Sequence, residues 1–436
     1  MKYTPANPQL YIENRQRFAK KLKPNSIAVF NSNDIMPTSA DGTMMFIQNS
    51  DIFYLSGIDQ EESILVIFPD AKEETNREIL FLKETNEHIA IWEGHKYTKQ
   101  EATATSGIKK IYWMKDFYMI FNALMSQAEN VCLNTNEHTR AVAEVETRDA
   151  RFIKFCKERY PLHNYHRSAP IMHELRSIKS KYEIEIMQQA CNITEKGFRR
   201  LLGFVKPGVM EYEIEAELIH EFVRNRSRGF AYGPIIASGA NACVLHYTDN
   251  NKECKAGDVI LLDVAAEYGN YASDLTRCLP VNGRFTQRQK DVYNAVLRVM
   301  RAAIKMLVAG NTFANYNKAV GKLMETELID LGLLNEKDVA NQNPDMPLYK
   351  KYFMHGTSHF LGLDVHDVGS FHRPFTAGMV FTCEPGIYIP EENLGIRLED
   401  DILITEGGPV NLMATIPIEA DEIEKLMARQ FTSASV

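Results

Sequence analysis

Four carboxylates and one histidine stand where their types and spacing can do chemistry. Asp263 and Asp274 lie in VILLDVAAEYGNYASDLTR (259–277), His359 in HGTSHFLG (355–362), Glu384 in CEPG (383–386) and Glu399 in GIRLEDD (395–401). Each acid sits within or at the end of an apolar run that reads as a buried strand. A buried carboxylate is costly unless it is paired or bound to a cation. Four carboxylates and an imidazole form a hard, oxygen-rich donor set, suited to two divalent cations that share bridging carboxylates. Manganese (Mn2+) fits such a set better than zinc, whose sites favour sulfur and nitrogen, although Co2+ or Zn2+ would enter it in vitro.

Two hairpins are expected to position these acids. Strands over 259–266 and 271–279 flank Tyr268-Gly269, which reads as a two-residue turn with glycine supplying the positive φ. A turn centred there sets Asp263 directly opposite Asp274, about 5 Å apart at Cβ. Two like charges so placed call for a cation between them. Glu384 and Glu399 pair in the same way around a longer loop containing Pro390 and Asn393. Any one of these acids, taken alone, reads as well as a local cap or ion pair. Two acid-paired hairpins beside an HxxxH segment do not. His355 and His359 share the spacing of a zinc-binding HExxH helix, but no glutamate follows His355. Gly356 and Gly362 also weaken a helix there, so that motif is rejected.

The surrounding chain is that of a globular protein. Its 436 residues suit two or three domains, and 45% hydrophobic with 24% charged residues is ordinary. A net charge of −8 argues against nucleic acid or an anionic membrane as partner. No apolar run approaches the length of a membrane span, and the N-terminus lacks a signal-peptide pattern. Seven cysteines without CxxC spacing fit reduced, buried thiols in a cytoplasmic protein, with Cys383 a packing residue rather than a nucleophile. The chain divides near residue 170, giving domains of 1–170 and 171–436. The first is α/β: a helix over 10–23, strands over 27–30, 64–68 and 78–83, and a polar linker over 163–170. In the second, Ser180 and Glu183 form a capping box for a helix running toward Leu202. A helix over 211–225 follows. From Gly257 hairpins dominate, interrupted by a helix over 286–307. The tail 431–436 is expected to fray.

The strings HGTSHFLGLDVHDVG, EPGIYI and GIRLEDDILIT resemble the pita-bread metallopeptidases, an α+β fold. Within that family the chain is most similar to the aminopeptidase P and proline-dipeptidase branch. QNSDIFYLSG (48–57) resembles the N-terminal domain of aminopeptidase P. The resemblance implies that Asp263, Asp274, His359, Glu384 and Glu399 are the ligands of a dinuclear site. It further implies hydrolysis of the bond between an N-terminal residue and a following proline, by hydroxide formed between the two cations. Glu384 is then the general base and acid, His355 and His246 donate and position, and His366 lines the proline pocket. Arg397, on the same strand face as Glu399, orients the metal-binding groups or binds substrate. Asp41 is similar to an acidic residue that reads a free α-ammonium, and Trp92 to a tryptophan inserted into a neighbouring subunit's site, in a homodimer or homotetramer. The loops after His366 and Tyr388 are shorter than the family pattern, which bears on substrate length and subunit packing. Two other readings stand beside this one: an Xaa-Pro dipeptidase, and a non-catalytic scaffold that has kept the fold.

Overall fold

The computed structural model describes residues 2–433. It falls into two compact units, Pro5–Arg176, and Ser177–Val436 joined by the first four residues. In chain order the strands are Ser26–Asn31 (β1), Ile64–Ile67 (β2), Glu78–Leu82 (β3), Lys110–Trp113 (β4), Asn130–Leu133 (β5) and Asn164–Arg167 (β6) in the first unit. The second holds Ile235–Ser238 (β7), Val259–Asp263 (β8), Glu267–Tyr268 (β9), Tyr271–Ala272 (β10) and Thr276–Pro280 (β11). Val380–Cys383 (β12), Gly386–Ile389 (β13), Leu394–Arg397 (β14), Asp400–Thr405 (β15) and Gly408–Asn411 (β16) complete it.

In the N-terminal unit one mixed sheet runs β4-β3-β2-β1-β5-β6. Its β1 is buried at every position, as befits a strand covered on both faces. On one face Ile27, Val29, Val66, Phe81 and Val131 meet Phe117, Phe121 and Leu124 of the helix Phe117–Met125. On the other, Phe18 stacks edge-on against Phe30 at 5.2 Å. The segment expected to be a linker is part of this unit: β6 is an edge strand paired with β5, and a helix begins at Ala169. Its polarity reflects a partly solvated sheet edge, and the units part only after Arg176.

The second unit opens on the helix Lys181–Leu201, capped by the Ser180/Glu183 box, and packs it against Glu211–Arg224. Gly197 permits the close approach, since a Cβ there would lie 2.6 Å from Phe222 Cε1. Antiparallel β7, β8 and β11 form one sheet, and β12, β15 and β16 another. The helix Gln287–Ile304 matches expectation, and a further long helix, Phe313–Asp330, follows it under a Thr312 cap. Of the tail 431–436, the helix Ala420–Ser433 takes in the first part and the last three residues lie outside the described ones. All seven cysteines are free, and among the described residues no helix is long and apolar enough to cross a membrane.

The first hairpin corrects the expected register. Its turn is Gly269-Asn270, with φ of +58° and +68°, and Tyr268 pairs with Tyr271. Both central residues of such a turn need positive φ, which asparagine accepts and tyrosine resists. Asp263 therefore faces Thr276 rather than Asp274. The displacement along the partner strand is two residues, so both aspartates keep the same face. In the second hairpin Gly386 faces Arg397 and Ile389 faces Leu394. That register, continued two residues beyond the last pair, opposes Glu384 to Glu399.

Candidate metal centre

Five chain segments converge at the ends of these strands. Asp263 closes β8, Asp274 precedes β11, His359 precedes β12, Glu384 follows it, and Glu399 joins β14 to β15. A bridge between Thr276 and Glu399 draws the two hairpins together. His359 Nε2 lies 3.4 Å from Asp274 Oδ2 and 3.7 Å from Glu384 Oε1. One ligand atom from each of Asp274, His359 and Glu399 falls within 4.8 Å of the others, and all three side chains are buried. His359 Nδ1 is held at 2.9 Å from the Phe360 carbonyl, and its main-chain N–H donates to Thr382 Oγ1, so Nε2 is the nitrogen turned to the carboxylates.

The remaining contacts fix the outer oxygens. Asp263 accepts from Tyr232 Oη at 2.7 Å and from Arg397 Nη2 at 2.5 Å. Glu399 Oε2 accepts from Thr276 Oγ1 at 2.6 Å, and Arg397 Nε donates to the same hydroxyl at 3.1 Å. Arg397 Nη1 donates to Tyr388 Oη, which stands 2.8 Å from His355 Nε2. His355 Nδ1 lies 3.6 Å from Glu384 Oε2. The segment 355–359 is not helical, in keeping with the rejected zinc-helix motif.

The electrostatics fit cations. Burial raises the carboxyls of Asp263, Glu384 and Glu399, and their mutual repulsion adds to it, partly offset by Arg397. Burial acts to lower His359, but Asp274 and Glu384 override it and raise the imidazole to about 9. Arg397 offsets only part of their charge, so the acids draw in a proton as well, which is the condition a divalent cation relieves. His355 behaves oppositely: burial and the Arg397 charge push it down to about 3, so it is neutral.

His366 is exposed, its ring edge-on to His359 with centroids 4.5 Å apart. His246 sits in an exposed turn, its charge felt by His355. Asp41 and Trp92 belong to the N-terminal unit. Asp41 is exposed in a tight turn where Gly42 N–H donates to Ser39 O, and Trp92 is 79% exposed on the short helix Glu87–Glu93. Cys383 is buried with its thiol pushed up by burial, a packing residue. Tyr232, Thr276, Thr382 and Tyr388 are additional to the sequence reading. Thr382 and Tyr388 carry a legible signal, since both share the strand parity of Glu384, and Thr276 shares that of Asp274.

The model of metallopeptidase family M24 matches residues 185–406, and that of the aminopeptidase P N-terminal domain matches 11–133. The chain belongs to metallopeptidase family M24. Its family relatives include an Xaa-Pro aminopeptidase of Haemophilus influenzae, 34% identical over 95% of this chain and 96% of that one. The Xaa-Pro aminopeptidase of Escherichia coli is 34% identical over 96% and 97%. Pseudomonas aeruginosa aminopeptidase PepP superposes with a TM-score of 0.89 at 30% identity, covering 99% of this chain and all of that one. A zinc-substituted E. coli aminopeptidase P in complex with product gives 0.87 at 31%, over 98% and 99%. The M24 unit has the pita-bread fold, and the chain is a metallopeptidase.

Proposed function

We propose that this metallopeptidase is an Xaa-Pro aminopeptidase, releasing the N-terminal residue of peptides whose second residue is proline. The observation that carries the reading is the buried cluster of Asp274, His359 and Glu399, with Asp263 and Glu384 alongside. Full-length likeness to Xaa-Pro aminopeptidases supports the substrate class. All five side chains serve as ligands of two divalent cations, manganese in preference to cobalt or zinc, because carboxylate oxygen dominates the donors. When bound, the cations supply Lewis acidity and bring a water's pKa near neutrality.

The chain's own groups do the rest. Glu384, with one oxygen toward His359 and the other toward His355, takes the proton of the attacking water and passes it to the departing proline nitrogen. His355, kept neutral, carries a single ring N–H, which the Gly356 carbonyl accepts at 2.7 Å; turned to the substrate, that N–H donates to the developing oxyanion. His246 assists beside it, and His366 lines the proline pocket. Arg397 ties Asp263 to Thr276 and Tyr388 and so orients the carboxylates. Asp41 reads the free α-ammonium, and Trp92 completes a neighbouring subunit's site in a homodimer or homotetramer. Peptide is the partner, with no role for nucleic acid or membrane, and the cytoplasm is the compartment.

A dipeptidase would set a cation against the proline carboxylate. Arg397 is poorly suited to that role, since it is 4% exposed and all three guanidinium nitrogens are engaged. The test compares Xaa-Pro, Xaa-Pro-Yaa and N-acetylated Xaa-Pro-Yaa peptides, with elemental analysis of the purified protein. Cleavage of free tripeptides, inert acetylated ones and two ions per chain are expected. Cleavage confined to dipeptides would overturn the reading in favour of the dipeptidase, and a metal-free, inactive protein would favour the scaffold.

A further inference from the structure

One buried ion pair lies outside the metal cluster and yet supports one of its neighbours. Lys179 Nζ donates to Asp367 Oδ2 at 3.1 Å, with each side chain only 1% exposed. The pair joins residues 188 apart in sequence. Both ends are anchored. The Lys179 main-chain N–H donates to Gly378 O, just ahead of β12, and the Ser180 cap opens the following helix. Asp367 Oδ1 accepts from Val368 N–H, and Asp367 N–H donates to Phe360 O. The second of these bonds closes the base of a loop, 361–366, whose final residue is His366, and the first fixes the Asp367 carboxylate. The loop is held at its start as well, since Gly362 O accepts from Ala272 N–H, two residues before Asp274. Gly362 must be glycine for this arrangement. A Cβ there would fall on Asp367 Oδ2 and lie 3.0 Å from Lys179 Nζ.

A pair so deeply buried is an uncertain source of stability, because desolvation offsets much of the attraction. What it provides is a fixed geometry. The compact ammonium fits under Gly362, and the loop it holds sets the ring of His366 at 4.5 Å, edge-on, from the ring of His359. We propose that Lys179 and Asp367 are positioning residues for the proline pocket, acting through His366, and that selectivity for proline at the second position depends on them. The proposal rests on the Xaa-Pro reading above.

Asp367→Asn keeps the acceptor for Val368 and removes the charge that holds Lys179. Lys179→Arg keeps the charge, but the planar guanidinium does not fit the space under Gly362. For each variant the ratio of kcat/KM for Xaa-Pro-Yaa over Xaa-Ala-Yaa is measured beside metal content and Tm. In a Glu384→Gln background the Kd of an Xaa-Pro-Yaa peptide is read by calorimetry. A fall of about tenfold in the proline-to-alanine ratio, with weaker peptide binding and unchanged metal stoichiometry, is expected. A proportional loss on both substrates, or an unchanged ratio, would reduce the pair to a structural role and overturn the proposal. If Asp367→Asn does not fold, Lys179→Arg carries the same comparison. A wild-type enzyme without Xaa-Pro activity would instead refute the functional reading, so the two failures are distinguishable.

Discussion

Asp263 holds Arg397 as well as standing among the proposed ligands. Removing it leaves a buried guanidinium without its carboxylate, adding uncompensated positive charge where cations must bind. Asp263→Ala is therefore expected to lose at least one ion per chain together with turnover. Elemental analysis giving two ions and wild-type rates would defeat the ligand assignment. His355→Ala should leave metal content near normal and lower kcat by about 10²-fold, the usual consequence of losing one oxyanion donor. Unchanged kcat would return His355 to a packing role. A third residue tests the N-terminal unit alone. Burial raises Asp149 from 3.8 to about 7, although Asn31 Nδ2 donates to it. The folded state then holds a proton that the unfolded state releases between these values, so this group's contribution to stability falls as pH rises from about 4 to about 7. Asn31 Oδ1 is buried without a partner, and an amide at 149 has an N–H to give it. Asp149→Asn should raise the denaturation midpoint at pH 8 and do so less at pH 5. A larger gain at pH 5 would contradict the assignment. The four acids and His359 were legible because their chemistry demands rare types in apolar surroundings. Tyr232 was not, because nothing in FAYGP distinguishes a tyrosine aimed at a carboxylate from one in a core.

At the scale of elements, Arg277 is the strut between the two hairpins. Fully buried, it donates to the carbonyls of Thr276, Glu399 and Pro417 and to Asp400 Oδ1 at 2.6 Å. Arg277→Leu strands Asp400 in the interior with the Asn411 amide still donating to it. The expected cost is roughly 3–5 kcal/mol, the usual penalty for breaking a buried pair from one side. Urea unfolding at saturating metal reads it, and a loss below about 1 kcal/mol would show the strut to be dispensable. Capping chemistry made the helix after Ser180 readable to the residue, since Ser180 and Glu183 satisfy each other's end of the first turn. The hairpin register was less readable. Glycine marks a turn, but whether it takes the first or second central position depends on its neighbours, and here Asn270 supplied the second positive φ. The supposed linker failed for a related reason: polarity marks exposure, and an edge strand is as exposed as a connection.

For the whole molecule the open question is which end of a peptide it reads. Asp41→Asn is expected to raise KM for free Xaa-Pro-Yaa peptides several-fold while leaving the unfolding midpoint unmoved, because Asp41 is an exposed turn residue. An unaltered KM would confine Asp41 to its turn. Two units were foreseeable from length and from the change in pattern after residue 170. The exact division after Arg176 was not, because it is set by which residues touch, and the first four residues side with the far end of the chain. That distance has a temporal side. Thr276 meets Glu399 across 123 residues, and each grips the other's hairpin. On a ribosome adding about 5–20 residues per second, Asp263 and Asp274 emerge well before His359, Glu384 and Glu399, and have neither the imidazole nor the glutamates to share an ion with. Metal capture is thus a late event in the birth of the chain, a seal on a completed fold rather than a seed for one.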